Sequence, residues 1–163
     1  MEAAAKAAVT EGRTSFLPHG VVVSRSIDTN SGLDFLILQL PSGRSLYYPK
    51  PAITQNRFGR PSVSYMGQNQ TTKKWERIET YGGKLAENLT QAVARDCLAD
   101  AITRLEEAGF PVVFHIHDEI VVDVSPEKQD LAEMKRLMAA VPKWAEGLPL
   151  KAEGWSNEFF KKD

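Results

Sequence analysis

Residues 84–108 run without a proline or glycine, between Gly82-Gly83 on one side and Gly109 and Pro111 on the other. Apolar side chains recur through them at helical spacing, at Leu85, Leu89, Val93, Cys97, Leu98, Ala101 and Leu105. That pattern predicts one long, heavily packed helix. A helix of this kind limits the folds open to the chain, because the sequence on either side has a different texture. Residues 21–23 and 33–40 are β-like runs separated by the turn-rich Asp28-Thr29-Asn30-Ser31-Gly32. Pro41-Ser42-Gly43-Arg44 then predicts a tight turn into Ser45-Leu46-Tyr47-Tyr48. Residues 52–80 are polar, with short strands expected at 62–66 and 75–79. Beyond the helix, two apolar strands at 112–117 and 120–124 flank Asp118-Glu119. Ser125-Pro126-Glu127 predicts a helix start with proline in the first helical position, and Leu131, Met134, Leu137, Met138 and Val141 its buried stripe. A last strand is expected at 148–153. This order predicts an α+β fold, a largely antiparallel sheet packed with helices. Three sections follow: 1–20 as a helix end and connector, 21–80 as a β-rich hairpin region, and 81–163 carrying the Asp118 hairpin.

Glu2 to Val9 favours helix, but two turns are too short to stand alone in water. The stretch reads as a natural helix end, rather than a spacer, whose packing partner lies outside this sequence. The start of the chain has neither the basic residues nor the apolar core of a secretory signal, and no apolar run approaches the roughly 18 residues of a membrane span. The one cysteine, Cys97, has no partner for an internal disulfide. A cytoplasmic protein is expected. The net charge of −1 conceals an asymmetry: residues 1–78 hold ten Lys/Arg and five Asp/Glu, residues 79–163 ten and sixteen. A basic half and an acidic half suit a protein that grips a polyanion with one part and cations with another.

Two features carry chemistry. The first is His115-Ile116-His117-Asp118-Glu119, two carboxylates at the tip of a hairpin of apolar strands. Crowded carboxylates need protons, hydrogen bonds or cations beside them, and Mg²⁺ takes carboxylate oxygens together with substrate phosphates. A plain solvated β-turn is the alternative. His-x-His can also ligate zinc, but no third ligand stands at a suitable spacing. Alternation along a strand would place His115 and His117 on one face. The second feature is a stripe on the long helix. Lys84, Asn88, Gln91 and Arg95, spaced by four, three and four, fall within an arc of about 60°. Long hydrogen-bonding side chains with two cations suit a phosphate backbone or base edges in a minor groove. A merely solvated face is the alternative here.

Taken together, Tyr81-Gly82-Gly83-Lys84-Leu85-Ala86-Glu87-Asn88-Leu89-Thr90-Gln91-Ala92-Val93-Ala94-Arg95-Asp96 and His117-Asp118-Glu119-Ile120-Val121 resemble the last palm section of bacteriophage-type family A (DNA polymerase I-like) DNA polymerases. Gly43-Arg44-Ser45-Leu46-Tyr47-Tyr48-Pro49 is similar to a post-fingers hairpin of that family, and Pro149-Leu150-Lys151-Ala152-Glu153-Gly154 to its final strand. Each motif is short, and their order and spacing give the resemblance its weight. It implies a palm-like fold. It implies that Asp118 is a ligand of two catalytic Mg²⁺ ions, with Glu119 in support and His117 near the primer terminus. Gln91 and Asn88 would contact the minor groove of primer–template DNA. Lys84 stands where many cellular members have arginine, and the Asn–Gln gap is one residue shorter than theirs. Arg44 would touch the DNA backbone or stabilise its turn.

The family's other acidic motif, an Asp-Tyr-Ser-like strand, is not in this sequence, nor is the fingers helix that binds the incoming dNTP. Transfer of a nucleotidyl group depends on positioned cations and aligned reactants. The resemblance therefore implies a chain inactive alone, its site completed by an N-terminal polymerase chain or by the remainder of the same protein. A non-catalytic DNA-binding or partner-binding module using the helix stripe is the rival reading; it predicts salt-sensitive DNA binding that survives Asp118→Ala. A small metal-dependent hydrolase using His115, His117 and Asp118 is a third, and it predicts hydrolysis by the lone chain.

Overall fold

The computed structural model describes residues 1–160 and is α+β, with every strand pairing antiparallel. The chain divides into two compact units, Met1–Val93 and the residues from Ala94 onward, and the division falls inside the long helix.

In the first unit, helix α1 (Glu2–Glu11) ends at Gly12, whose φ of 66° is the left-handed cap that glycine adopts without strain. Ala4, Ala5, Ala7, Ala8 and Val9 are all buried. The expectation that this helix lacks its partner is corrected, because small alanines let it lie close on the strands. Those strands form two sheets. One has the order β1 (Ser15–Phe16), β2 (Val22–Asp28), β3 (Leu33–Gln39) and β4 (Ser45–Pro49). The other is the meander β5 (Ala52–Gln55), β6 (Pro61–Gln68) and β7 (Trp75–Thr80). Val23, Leu36, Leu38, Tyr48 and Val63 meet the α1 alanines and Leu85 in one core. Arg25 ties helix to sheet, donating to the Val9 carbonyl at 2.6 Å and, through two nitrogens, to both oxygens of Asp34 at 2.9 and 2.8 Å.

Helix α2 (Gly82–Glu107) starts against α1. The Gly82 N–H donates to the Glu2 carboxylate at 3.2 Å. A Cβ at Gly82 would lie 2.9 Å from the Cβ of Glu2, so the close approach itself requires glycine.

The second unit comprises the rest of α2, the hairpin β8 (Val112–Ile116) and β9 (Glu119–Val122), and α3 (Leu131–Ala139). Cys97, Leu98, Ala101, Leu105 and Phe110 are its buried apolar residues. Burial pushes the Cys97 thiol up, with the nearby Asp100 and Asp96 charges adding to it. Arg104 donates to the last carbonyls of α3, Leu137 at 3.0 Å and Ala140 at 2.9 Å. Trp144 donates its indole N–H to Asp100 at 3.1 Å.

Three expectations fail in this unit. Pro126 opens only a 3-10 turn, Pro126–Lys128; α3 begins later, capped by Asp130, whose carboxylate accepts the Glu133 N–H at 2.8 Å. The stripe from Leu131 to Met138 is half-buried and Val141 is exposed, so no residue of α3 is fully buried. Residues 148–153 form no strand. A strand exists only with a paired ladder, and no described strand pairs with this stretch, in which Pro149 also lacks an N–H to donate.

Candidate functional site

The hairpin of the second unit turns one residue earlier than its sequence suggests. Ile116 pairs with Glu119, leaving His117 and Asp118 as a two-residue loop. His117 adopts φ 53°, a left-handed conformation that costs a non-glycine residue about 1 kcal/mol. A two-residue hairpin loop calls for such a positive φ. The shift puts the two carboxylates in different elements. Asp118 sits in the loop, whereas Glu119 is the first residue of β9, beside Ile116. It also takes His117 out of the strand, so alternation no longer puts its ring with that of His115.

His117, Asp118 and Glu119 are all exposed, and so are Val113 and Phe114 on β8. The apolar strands therefore do not press this turn into a core. The hairpin carries its carboxylates outward, with water on both sides of much of β8. Phe114 is steadied by Phe160, edge to face at 5.2 Å between ring centres. Among the described residues, no three His, Cys, Asp or Glu side chains come together to hold an ion. The zinc alternative for His115 and His117 therefore gains no third ligand. His115 has a different neighbour: Nη2 of Arg95 lies 3.2 Å from its Nε2. Arginine can only donate, so Nε2 accepts and any ring proton sits on Nδ1.

The rest of the helix stripe belongs to the first unit, where its members have separate tasks. Lys84 pairs with both oxygens of Glu87, at 3.1 and 3.0 Å. Gln91 donates to the same carboxylate at 3.3 Å and stays exposed. Asn88 is half-buried and donates to the Tyr48 hydroxyl at 3.1 Å. Tyr48 is buried, and burial raises its phenol above the ordinary value despite that hydrogen bond. Arg44 donates to the Ala92 carbonyl at 2.9 Å, which ties the β3–β4 turn to α2.

Two residues of this arrangement escaped the sequence reading. Tyr48 holds Asn88 away from free solvent, and Glu87 places a negative charge beside the supposed cationic stripe. The signal for Glu87 was its spacing, three residues from Lys84 and four from Gln91. The signal for Tyr48 was the period-two pattern of β4, which turns one of two adjacent tyrosines inward.

The chain is similar to a DNA polymerase of Bacillus phage SP02, with 44% identity over 164 residues. The match covers 100% of this chain and 24% of that protein, so the chain spans about a quarter of the relative's length. No family model matches the chain, and no solved structure does.

Proposed function

We propose that this chain is the C-terminal palm portion of a DNA-directed DNA polymerase of the family A type, contributing Asp118 to a nucleotidyl-transfer site completed by other polymerase residues. The observation that carries the reading is 44% identity to a phage DNA polymerase sustained over the whole chain. The exposed Asp118 in a strained two-residue loop supports it, because a metal-bearing carboxylate must face the substrate rather than the core.

The donor set fits a hard cation. Asp118 and the adjoining Glu119 offer only oxygens, and both are open to a phosphate-bound ion. Two Mg²⁺ ions there would lower the pKa of the primer 3′-hydroxyl and offset charge on the transferring phosphate. The chain's own residues position the reactants. His117, next to Asp118 in the loop, would in this reading lie near the primer terminus. Exposed Gln91 offers its amide to a minor groove, while its bond to Glu87 is weak enough to exchange. Asn88, engaged with Tyr48, acts first by fixing the helix surface around Gln91. Primer–template DNA and dNTP are the substrates of this reading.

The rival reading, a DNA-binding module using the stripe alone, loses support from the pairing of Lys84 with Glu87, which leaves little net positive charge there. The test is a chimera in which these residues replace the matching quarter of the phage SP02 polymerase. Primer extension should persist, and Asp118→Ala should lower its rate by about 10³-fold or more. Equal extension by the Asp118→Ala chimera, or none by a folded chimera that retains Asp118, would sink the reading.

A further inference from the structure

The densest positive charge lies outside the stripe and the Asp118 turn. Residues 44–78 hold seven Lys/Arg and one Asp/Glu, whereas the remainder of the chain holds thirteen and twenty. Most of this segment is the β5–β6–β7 meander, and its two connections share an unusual design. In the first, the Asn56 side-chain oxygen accepts the N–H groups of Phe58 and Arg60, at 2.9 and 3.0 Å. In the second, the Asn69 side-chain oxygen accepts those of Thr71 and Thr72, at 2.8 and 3.1 Å. Backbone bonds close both loops, Asn56 to Arg60 at 2.9 Å and Asn69 to Lys74 at 2.8 Å.

Each braced loop presents an aromatic ring and cations to solvent. Phe58 is 70% exposed, with the Arg57 guanidinium 4.6 Å from its ring centre and Arg60 beyond. Trp75 is 65% exposed and directly follows Lys73 and Lys74. Between the loops, register places Arg77 on the same sheet face as Trp75, opposite Met66 rather than the core-facing Val63 and Tyr65. Arg77 is held there by the Lys50 carbonyl at 3.1 Å and the Ser64 hydroxyl at 3.2 Å. The segment's one carboxylate, Glu76, points to the opposite face and accepts from the Asn69 amide. Glu79 is the carboxylate that shares the Trp75–Arg77 face.

Leaving large aromatic rings mostly in water does little for folding. Cations beside exposed, pre-positioned aromatics are what sequence-tolerant binding of single-stranded nucleic acid requires: phosphates meet the cations, and bases stack on the rings. We propose that the β5–β6–β7 meander is a binding surface for single-stranded nucleic acid, running from the Phe58 loop to the Trp75 loop. β6 alone has eight residues, about 26 Å of strand. That is room for about seven stacked nucleotides at ~3.4 Å each. This surface goes beyond the Asp118 reading and needs no metal.

The test is fluorescence anisotropy of a labelled 20-nucleotide oligothymidine titrated with the full chain at several salt concentrations. Binding is expected to weaken as salt rises. Phe58→Ala and Trp75→Ala should each weaken it about fivefold or more. The double variant Lys73→Ala/Lys74→Ala should reduce the log–log salt slope by about 1.4. Glu79→Gln should bind at least as tightly as the parent. All these changes are at exposed positions, and unaltered urea midpoints will show that the fold persists. No binding by the parent chain, or binding within twofold of the parent in the Phe58, Trp75 and lysine variants, would overturn the proposal. So would polyglutamate displacing the oligonucleotide as well as unlabelled oligothymidine does, since that partner would be an acidic protein. This binding and primer extension by the chimera are separate readouts, so failure here leaves the polymerase reading standing, and failure of that reading leaves this one.

Discussion

The two halves of this chain spend their apolar residues differently. In the first unit α1 and two sheets enclose side chains with no accessible surface at all, Val23, Leu36 and Leu38 among them. In the second, α3 has no buried residue and β8 exposes Val113 and Phe114. The enclosed unit carries the meander, whose loops are braced by asparagine side chains. The open unit carries Asp118, on a two-stranded hairpin of a kind that is marginal by itself in water. The contrast teaches that the candidate catalytic carboxylate rests on the part of the chain with least burial of its own. Low local stability is where segments that close on a substrate are drawn from.

That comparison would break most visibly in its cores. Leu36→Ala should cost about 3 kcal/mol in urea unfolding, while Val113→Ala, 59% exposed, should stay within about 0.5 kcal/mol. Equal losses would mean that the hairpin is as enclosed as the sheets. Gly82→Ala comes next, at about 2 kcal/mol, because the added Cβ meets Glu2 at 2.9 Å and backbone must move. A thermal melt that does not shift would show that α1 and the start of α2 are not in close contact.

In the open unit, Arg104→Ala should cost about 1.5 kcal/mol by stripping two carbonyls at the end of α3 of a charged donor. Hydrogen exchange should show the loss concentrated in α3, and uniform loosening would contradict it.

The smallest effect concerns pH. Glu2 has its carboxyl held below the ordinary range, first by the hydrogen bond from Lys6 and then by the Gly82 N–H. A depressed carboxyl stabilises the fold above its unfolded pKa of about 4.5 and ceases to do so as pH falls through the lower folded value. The pair is substantially exposed, with side chains 36% and 44% accessible, so solvent screening keeps the contribution under about 1 kcal/mol. Urea midpoints of the parent and Glu2→Gln should therefore differ at pH 7 and converge toward pH 3. A constant gap would assign the difference to something other than this carboxylate.

Elements with a strong internal rhythm were legible beforehand. The helix expected at 84–108 is α2, and the strands expected at 33–40, 62–66 and 75–79 are β3, β6 and β7 with ends moved by one or two residues. What failed were segments whose state depends on a neighbour. Residues 148–153 alternate like a strand, yet have no described strand to pair with. Ser125-Pro126 has the chemistry of a helix start, but its turn ends at Lys128, and Asp130 offers the cap that α3 uses. Of the candidate site, the residue types at 117–119 were legible, while the position of the turn was not. Pairing Ile116 with Glu119 moved the loop to His117-Asp118.

By itself the sequence determined the α+β order, the long helix, a basic half and an acidic half, and two adjacent carboxylates in a hairpin of apolar strands. These follow from residues near one another along the chain, where periodicity and charge are local properties. Only the tertiary structure decided that α1 is enclosed, that Asn88 serves Tyr48 from 40 residues away, and that Glu2 caps Gly82 across 80. Burial and hydrogen-bond partners are set by which distant surfaces meet. No window along the chain contains both members of such a pair.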